Sequence, residues 1–160
     1  MKIVSSLAPL LLLIFACRLC SMTGAHDYNP YKGSVKDLLP KEPSVGVVKF
    51  KLDTSQSTEF EGATDAVKAT YTLQVGSISV PAQLTVANFP SSRDAAGAVE
   101  AFANKHNLAL ESKTKSGKTV GQRITWDNGK TIMWSNGSLQ CLARSDFPKT
   151  TSNLEEALPF

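Results

Sequence analysis

Two tryptophans, Trp126 and Trp134, have the residue type and spacing that most suggest a role in binding. They lie on either side of a predicted turn at Asp127-Asn128-Gly129. An indole ring stacks well on a sugar, a peptide or a lipid, so the pair is a candidate aromatic platform. Both residues also fall on alternating apolar positions, which is typical of core side chains. The sequence therefore leaves two interpretations open, a binding surface and core packing, and core packing is the simpler one.

Candidates for catalysis or metal binding are few. The chain has two histidines: His26 precedes the predicted domain, and His106 ends a predicted helix, where the helix dipole favours a cation. The two histidines do not have the spacing of metal ligands, so we expect no metal site and no cofactor. No pairing of a nucleophile with a base can be proposed from these residues, and we predict no catalytic residue.

A group of carboxylates falls within one polar segment, residues 53–65. The segment could hold a cation, but calcium loops need ligands at fixed spacing with a glycine at the turn. We therefore expect a solvated acidic loop. The four carboxylates are Asp53, Glu59, Glu61 and Asp65.

The N-terminus has the pattern of a secretory signal, which we place at residues 1–20. Lys2 supplies a positive charge, and residues 7–15 form an apolar run too short to span a membrane. Residues 14–17 resemble the lipobox of bacterial lipoproteins, in which the final cysteine, here Cys17, is lipidated. The alternative is ordinary cleavage after Ala25. Either way we expect a protein that works outside the cytoplasm, and the lipobox favours a membrane anchor on Cys17.

The remaining cysteines allow two interpretations. Cys20 and Cys141 could form one disulfide in an oxidising compartment if Cys20 survives processing. Cys141 lies in a predicted apolar strand, and a buried, unreactive thiol is the simpler expectation.

Composition limits the architecture and the partners. The 160 residues are 42% hydrophobic and 19% charged with a net charge of +3, which suits one globular domain behind a leader. Lys113, Lys115 and Lys118 are interleaved with polar residues and indicate a solvated loop, so we expect no nucleic-acid partner. Prolines and polar residues without periodicity predict a flexible tether at 21–44, followed by a single domain at 45–160.

Hydrophobic periodicity predicts an α+β domain. Alternation indicates about six antiparallel strands near residues 45–52, 66–75, 78–86, 120–126, 132–134 and 139–143, joined as a hairpin and a meander. One main helix, packed across a face of the sheet, begins at Ser91 or Ser92 and stops at Asn107. Ser152 and Glu155 predict a capping box for a final helical turn. Residues 53–64 and 112–118 are expected to be loops.

The domain also resembles uncharacterised bacterial secreted and lipoprotein families. The resemblance rests on an opening Leu-Leu-Pro, an alanine-rich helix after an apolar strand, and a Trp-x-x-Gly hairpin. It implies no known activity, and no functional residues are carried over. At the level of fold, a sheet with one helix across it is similar to PsbP-like envelope proteins. The residues involved are Asp37-Leu38-Leu39-Pro40, Asn88-Phe89-Pro90, Asp94-Ala95-Ala96-Gly97-Ala98, Trp126, Gly129 and Leu158-Pro159-Phe160.

Together these features predict an exported, lipid-anchored cell-envelope protein. We expect a non-catalytic binding or accessory domain that offers a sheet face or hairpin tips to a protein or a glycan. A small extracytoplasmic hydrolase with an unrecognised site is the alternative.

Overall fold

The fold is known from a computed structural model, which describes residues 31–160. The predicted signal peptide, Cys17, the cleavage site near Ala25 and the first part of the predicted tether lie outside the described residues. Cys20 also lies outside the described residues; two residues separate it from Cys17, which is the CxxC spacing. No helix between residues 31 and 160 is long and apolar enough to cross a membrane.

The described chain folds into one antiparallel sheet of eight strands with two α-helices, so the α+β prediction is confirmed. The order across the sheet is β1-β2-β3-β4-β8-β7-β6-β5. The expected six strands and one helix were only roughly right. The strands are β1 (Ser44–Val45), β2 (Val48–Ser57), β3 (Asp65–Val75), β4 (Ile78–Asn88), β5 (Glu111–Lys115), β6 (Lys118–Trp126), β7 (Thr131–Asn136) and β8 (Leu139–Ser145); the helices are α1 (Ser92–His106) and α2 (Pro148–Ala157).

The hairpin β3–β4 follows the alternation seen in the sequence. Its pairing runs without a break from Asp65↔Asn88 to Val75↔Ile78, and Gly76 makes the turn with a φ of 60°. Such a turn matches the twist of the two strands and favours glycine at its first position. β8 returns beside β4, so the hairpin and the later meander belong to one continuous sheet.

The two strands that the sequence analysis missed, β1 and β5, are short edge strands. β5 consists of polar residues, of which four of the five are exposed, and it pairs with β6 through a turn at Ser116 and Gly117. An edge strand that contacts little core need not show apolar alternation, so its sequence looks like a loop. β2 likewise continues through a bulge near Asp53 to Ser57, into the segment expected to be a loop.

Helix α1 has the predicted ends. The Ser91 side chain accepts a hydrogen bond from the Asp94 backbone N–H at 3.1 Å, and Asn107 closes the helix with a φ of 52°. Its buried face includes Val99 and Ala103, which pack on β6 and β7. We call this side of the sheet the α1 face.

Helix α2 covers the opposite side, which we call the α2 face, and it corrects the predicted capping box. The helix begins at Pro148, four residues before Ser152, and Phe147 at its N-cap makes no side-chain capping bond. Proline suits the first helical position because its missing N–H would have no intrahelical partner there. Glu155 lies inside the helix, where it pairs with charged residues of β5 and β6.

Residues 31–44 belong to the folded domain, which corrects the predicted tether over that range. Val35 is fully buried and Leu39 is 8% exposed, and both join the core of the α2 face. The backbone N–H of Val35 donates to Asp65 at 2.8 Å, and the Tyr71 hydroxyl donates to the Pro40 carbonyl at 3.0 Å. Residues 31–44, with their prolines, therefore form a packed segment, which we call the strap, and not a free spacer.

The strap predicts a measurable loss of stability. Leu39→Ala should lower the free energy of unfolding by about 2–3 kcal/mol, because it removes buried methyl groups and leaves a cavity. Urea denaturation measures this. The control is Lys36→Ala, an exposed position in the same segment, which should change stability by less than about 0.5 kcal/mol. Equal effects of the two substitutions would show that the segment does not pack.

Candidate functional site

The two tryptophans lie on opposite faces of the sheet. Trp134, in the middle of β7, is fully buried on the α2 face, and its indole N–H donates to the Phe160 carbonyl at 3.3 Å. Trp126, at the end of β6, is half-buried on the α1 face. The two rings therefore form no common platform. Trp134 is a core residue, and Trp126 alone remains a candidate for contact with a ligand.

Trp126 forms one wall of an open groove on the α1 face. The groove has a volume of about 620 Å³, and residues of five neighbouring strands and of the β6–β7 turn line it. Helix α1 covers the sheet beside it, where Val99 and Ala103 pack against Ile124 and Met133. The lining residues are Lys68, Gln83, Thr85, Trp126, Asp127, Thr131, Leu142 and Arg144.

Strand pairing arranges four of the lining residues in a straight row. Gln83 of β4 pairs with Arg144 of β8, Arg144 pairs with Thr131 of β7, and Thr131 pairs with Trp126 of β6. Residues paired directly across antiparallel strands point to the same face. With strands about 4.8 Å apart, the row is about 14 Å long. Along the groove floor an amide, a guanidinium and a hydroxyl thus lie side by side, in that order, and the indole of Trp126 lies next to the hydroxyl.

The orientation of the Trp126 ring is fixed by helix α1. The Phe102 ring lies 5.2 Å from the Trp126 ring, centroid to centroid, at an interplanar angle of 37°. The His106 ring in turn stacks on Phe102, with 4.3 Å between the two ring centroids. The three rings form a short stack at the end of the helix. This stack positions the indole at the edge of the groove.

Charge in the groove is predominantly positive. Lys68 and Arg144 are exposed, and within residues 31–160 neither side chain forms an ion pair. One acid lines the groove, Asp127, which sits in the β6–β7 turn with a φ of 54°. The lining therefore has one more positive than negative charge, and its two cations are free to meet a ligand.

The other predicted candidates do not assemble into a site. His106 is exposed, and its side chain makes no hydrogen bond to another residue within 31–160. Asp65 accepts from the Val35 backbone, and Asp53 accepts from the Thr72 hydroxyl. Among the described residues no three potential metal ligands come together.

Cys141 lies fully buried in β8, facing the core of the α2 face. Burial raises the pKa of its thiol well above the ordinary value, because the thiolate would lose its hydration. Within residues 31–160 it has no disulfide partner. Its position agrees with the expectation of a buried thiol, while Cys20 lies outside the described residues.

A charged cluster on the α2 face was not anticipated from the sequence. Glu155 of α2 is buried, and Arg123 of β6 holds its carboxylate through two oxygens, at 3.0 and 3.1 Å. Lys113 of β5 pairs with the same carboxylate and lies over the Trp134 ring, 5.2 Å from its centroid. Arg123 also bonds Glu111 at 2.9 Å. The cluster ties α2 to the β5–β6 edge of the sheet.

The cluster also sets the ionisation of its members. Burial alone would raise the pKa of Glu155, but hydrogen bonds and charge attraction from Arg123 and Lys113 outweigh it and hold the pKa below its ordinary value. Burial would lower the pKa of Arg123, and its bonds to Glu155 and Glu111 reverse that effect. Every charge in the cluster has a partner, so removal of one member would leave another charge partly buried and uncompensated.

Most groove residues were absent from the sequence-based candidates, although a signal existed. The polar positions of β3 and β4, such as Lys68, alternate with core residues. Lysine, threonine and glutamine on the interior strands of a large sheet indicate an uncovered face. Which strands would pair around Trp126 could not be read from spacing alone.

Comparison with models of protein families, with characterised proteins and with solved structures found no match. The resemblance to bacterial secreted and lipoprotein families therefore remains a prediction.

The charged cluster predicts a dependence of stability on pH. Glu155→Gln should cost about 3 kcal/mol, since it leaves two partly buried cations without their counter-ion. Because the pKa of Glu155 is lowered on folding, its contribution is complete above about pH 4.5, the ordinary value, and is lost as the pH falls through the lower folded pKa. Unfolding by urea between pH 3 and 7 measures both effects.

The matched control for this prediction is Glu111→Gln, which removes the more exposed partner of the same arginine. The Glu111 side chain is 59% exposed, so its loss should cost less than about 1 kcal/mol. If both variants lose the same stability and keep the same pH profile, the proposed role of Glu155 is wrong.

Proposed function

We propose that this protein is an exported, non-catalytic binding domain whose groove on the α1 face holds a saccharide. The row Gln83–Arg144–Thr131–Trp126 is the observation that carries the proposal. It places one positioned indole at the end of a floor of hydrogen-bonding side chains. Ligand sites commonly combine an aromatic surface with a few polar groups that fix orientation.

Saccharide chemistry matches both parts of this row. A sugar ring has a face of C–H groups, which packs on an indole, and a rim of hydroxyls, which donate and accept hydrogen bonds. The Gln83 amide both donates and accepts, the Arg144 guanidinium donates, and the Thr131 hydroxyl does both. An open groove also admits a ligand longer than itself. These properties support a chain-like ligand laid across the strands.

The groove suits a protein partner less well. The centres of protein interfaces are enriched in aromatic residues, methionine and arginine and are depleted of lysine. Here a lysine, two threonines and a glutamine contribute half of the lining, with Leu142 the one aliphatic side chain. A polar floor of this kind favours a ligand rich in hydroxyl groups.

Hydrolysis is the second function that the sequence left open. It would require a nucleophile and a base within hydrogen-bond reach of one another. The groove lining contains one carboxylate, Asp127, and no histidine or cysteine. The groups gathered there support binding by stacking and hydrogen bonding, and we assign them that role.

For the location of the protein, we infer export and a lipid anchor on Cys17. The apolar run at residues 7–15 and the lipobox-like residues 14–17 support the inference. An anchor of this kind would hold the binding domain at a membrane surface in the cell envelope. The saccharide would then be one that is accessible outside the cytoplasm.

Binding in the groove should be visible through the two indoles. In a nitrogen–proton correlation spectrum, a saccharide should shift the Trp126 indole N–H signal and leave that of Trp134 in place. The reason is that Trp126 borders the groove, whereas Trp134 is fully buried and bonded to Phe160. Titration with a panel of neutral and acidic oligosaccharides measures the response and the dissociation constant.

Trp126→Ala should weaken the binding about tenfold, the equivalent of losing one stacked ring. The control is Phe147→Ala, which removes an aromatic ring that is 58% exposed and outside the groove. Its affinity should equal that of the parent chain. A saccharide that binds without moving the Trp126 signal would contradict the groove as its site.

The lipid anchor is tested by mass spectrometry of the processed chain from a bacterium that matures lipoproteins. The expected N-terminal residue is Cys17, with a mass increase from its acyl chains. Cys17→Ser should abolish both that mass and recovery in the membrane fraction, while Cys20→Ser should retain them. A chain that begins with a free amine on His26 would contradict the anchor without bearing on the groove.

A further inference from the structure

We propose that the ligand of the groove is an acidic saccharide whose carboxylates are bound by Lys68 and Arg144. This inference rests on the proposed function, since it names the class of saccharide that the same groove takes. It goes beyond that function because it assigns the charges of Lys68 and Arg144 a role in binding. A neutral sugar would use the indole and the hydrogen-bonding row, in which Arg144 acts as a donor, but it would not need the charges of Arg144 and Lys68.

Lys68 and Arg144 differ in their ion pairing from the two cations of the charged cluster. Arg123 and Lys113 on the α2 face are held by Glu155, with Glu111 as a further partner of the arginine. Lys68 and Arg144 have no such carboxylate among residues 31–160, and both side chains are exposed on the groove floor. Two cations left without counter-ions in one concave surface attract anions and favour their arrival.

The separation of the two cations accommodates a ligand with more than one acidic group. Lys68 pairs with Thr85 on β4, and Arg144 pairs with Gln83 two residues away on the same strand. Two strand spacings and two residues along a strand put their Cα atoms about 12 Å apart. An extended chain of acidic sugars can therefore bring a separate carboxylate to each cation.

Arg144 and Lys68 would bind different acidic groups of the ligand. Arg144 lies in the row that ends at Trp126, two strands from the indole. Its planar guanidinium can take both oxygens of a carboxylate while a neighbouring sugar ring stacks on the indole. Lys68, two strands farther along the sheet, is a mobile point charge suited to the next acidic group.

A single-stranded nucleic acid also combines negative charge with rings that stack. Proteins that bind it use a positively charged groove along the backbone and several aromatic side chains for successive bases. This groove has one indole, two cations and an acid, Asp127, on its lining. Hydroxyl and amide side chains fill the rest of the floor, which favours the acidic saccharide.

The test compares two ligands that differ only at their carboxyl groups, which are charged in one and esterified in the other. Tetragalacturonate carries a carboxylate on each ring, and its fully methyl-esterified form has the same rings and linkages without the charge. Affinities of the full processed chain for both are measured by calorimetry at two salt concentrations. We expect the acid to bind about tenfold more tightly, as two exposed ion pairs allow, and to lose that advantage at high salt.

The double variant Lys68→Gln/Arg144→Gln should reduce the affinity for the acid about tenfold and that for the ester clearly less, since the ester loses only the hydrogen bonds that the Arg144 guanidinium donates. Lys36→Gln/Lys118→Gln changes the net charge equally at exposed positions outside the groove and should behave as the parent chain. An unshifted Trp134 indole signal verifies that each variant is folded.

The remaining outcomes separate this inference from the proposed function. Equal binding of acid and ester, lost in Trp126→Ala, would retain the saccharide groove and overturn the role of the cations. Binding of neither at millimolar concentration would overturn both. A deoxythymidine oligonucleotide that shifts the Trp126 signal and binds more tightly than tetragalacturonate would replace the saccharide by a nucleic acid.

Discussion

Strand β7 is buried on both of its faces, and the rest of the fold follows from the need to cover it. Residues 131–135 are buried in succession, with Trp134 pointing to the α2 face and Met133 to the α1 face. A strand of this kind is stable only between two layers. The chain supplies one layer with α1 and the other with α2, the strap at residues 31–44 and the C-terminal Phe160.

The two covers differ in extent, and the difference creates the groove. Two segments distant in sequence, residues 31–44 and 148–160, close the α2 face. The α1 face has a single helix of 15 residues, about 22 Å long and about 10 Å wide. Eight strands span about 34 Å. One helix therefore leaves part of the sheet bare around β3, β4 and β8. Polar side chains such as Lys68, Gln83 and Arg144 occupy that part, as contact with water requires.

Local signals in the sequence predicted the elements whose pattern is local. Alternation identified β3 and β4, and Ser91 and Asn107 marked both ends of α1. Pairing over long sequence separations was out of reach: Glu155 looked like a capping residue because its partners Arg123 and Lys113 are 32 and 42 residues away. The predicted platform of two tryptophans was wrong because alternate residues of a strand point to opposite faces of the sheet. Trp126 pairs directly with Thr131, so Trp134, three residues farther on, must face the other side.

The groups that stabilise the fold and those of the proposed site therefore lie on different faces of one sheet. On the α2 face Glu155 is paired with Arg123 and Lys113. Trp134 is enclosed there, so substitutions on this face act on folding. On the α1 face Lys68 and Arg144 have no ion-pair partner among residues 31–160, and Trp126 borders the groove. The described chain begins at the β7–β8 turn, where the Tyr31 N–H donates to Ser138 at 3.1 Å, and Trp126 lies at the opposite end of the meander. The N-terminal end of the described residues thus lies away from the indole end of the groove.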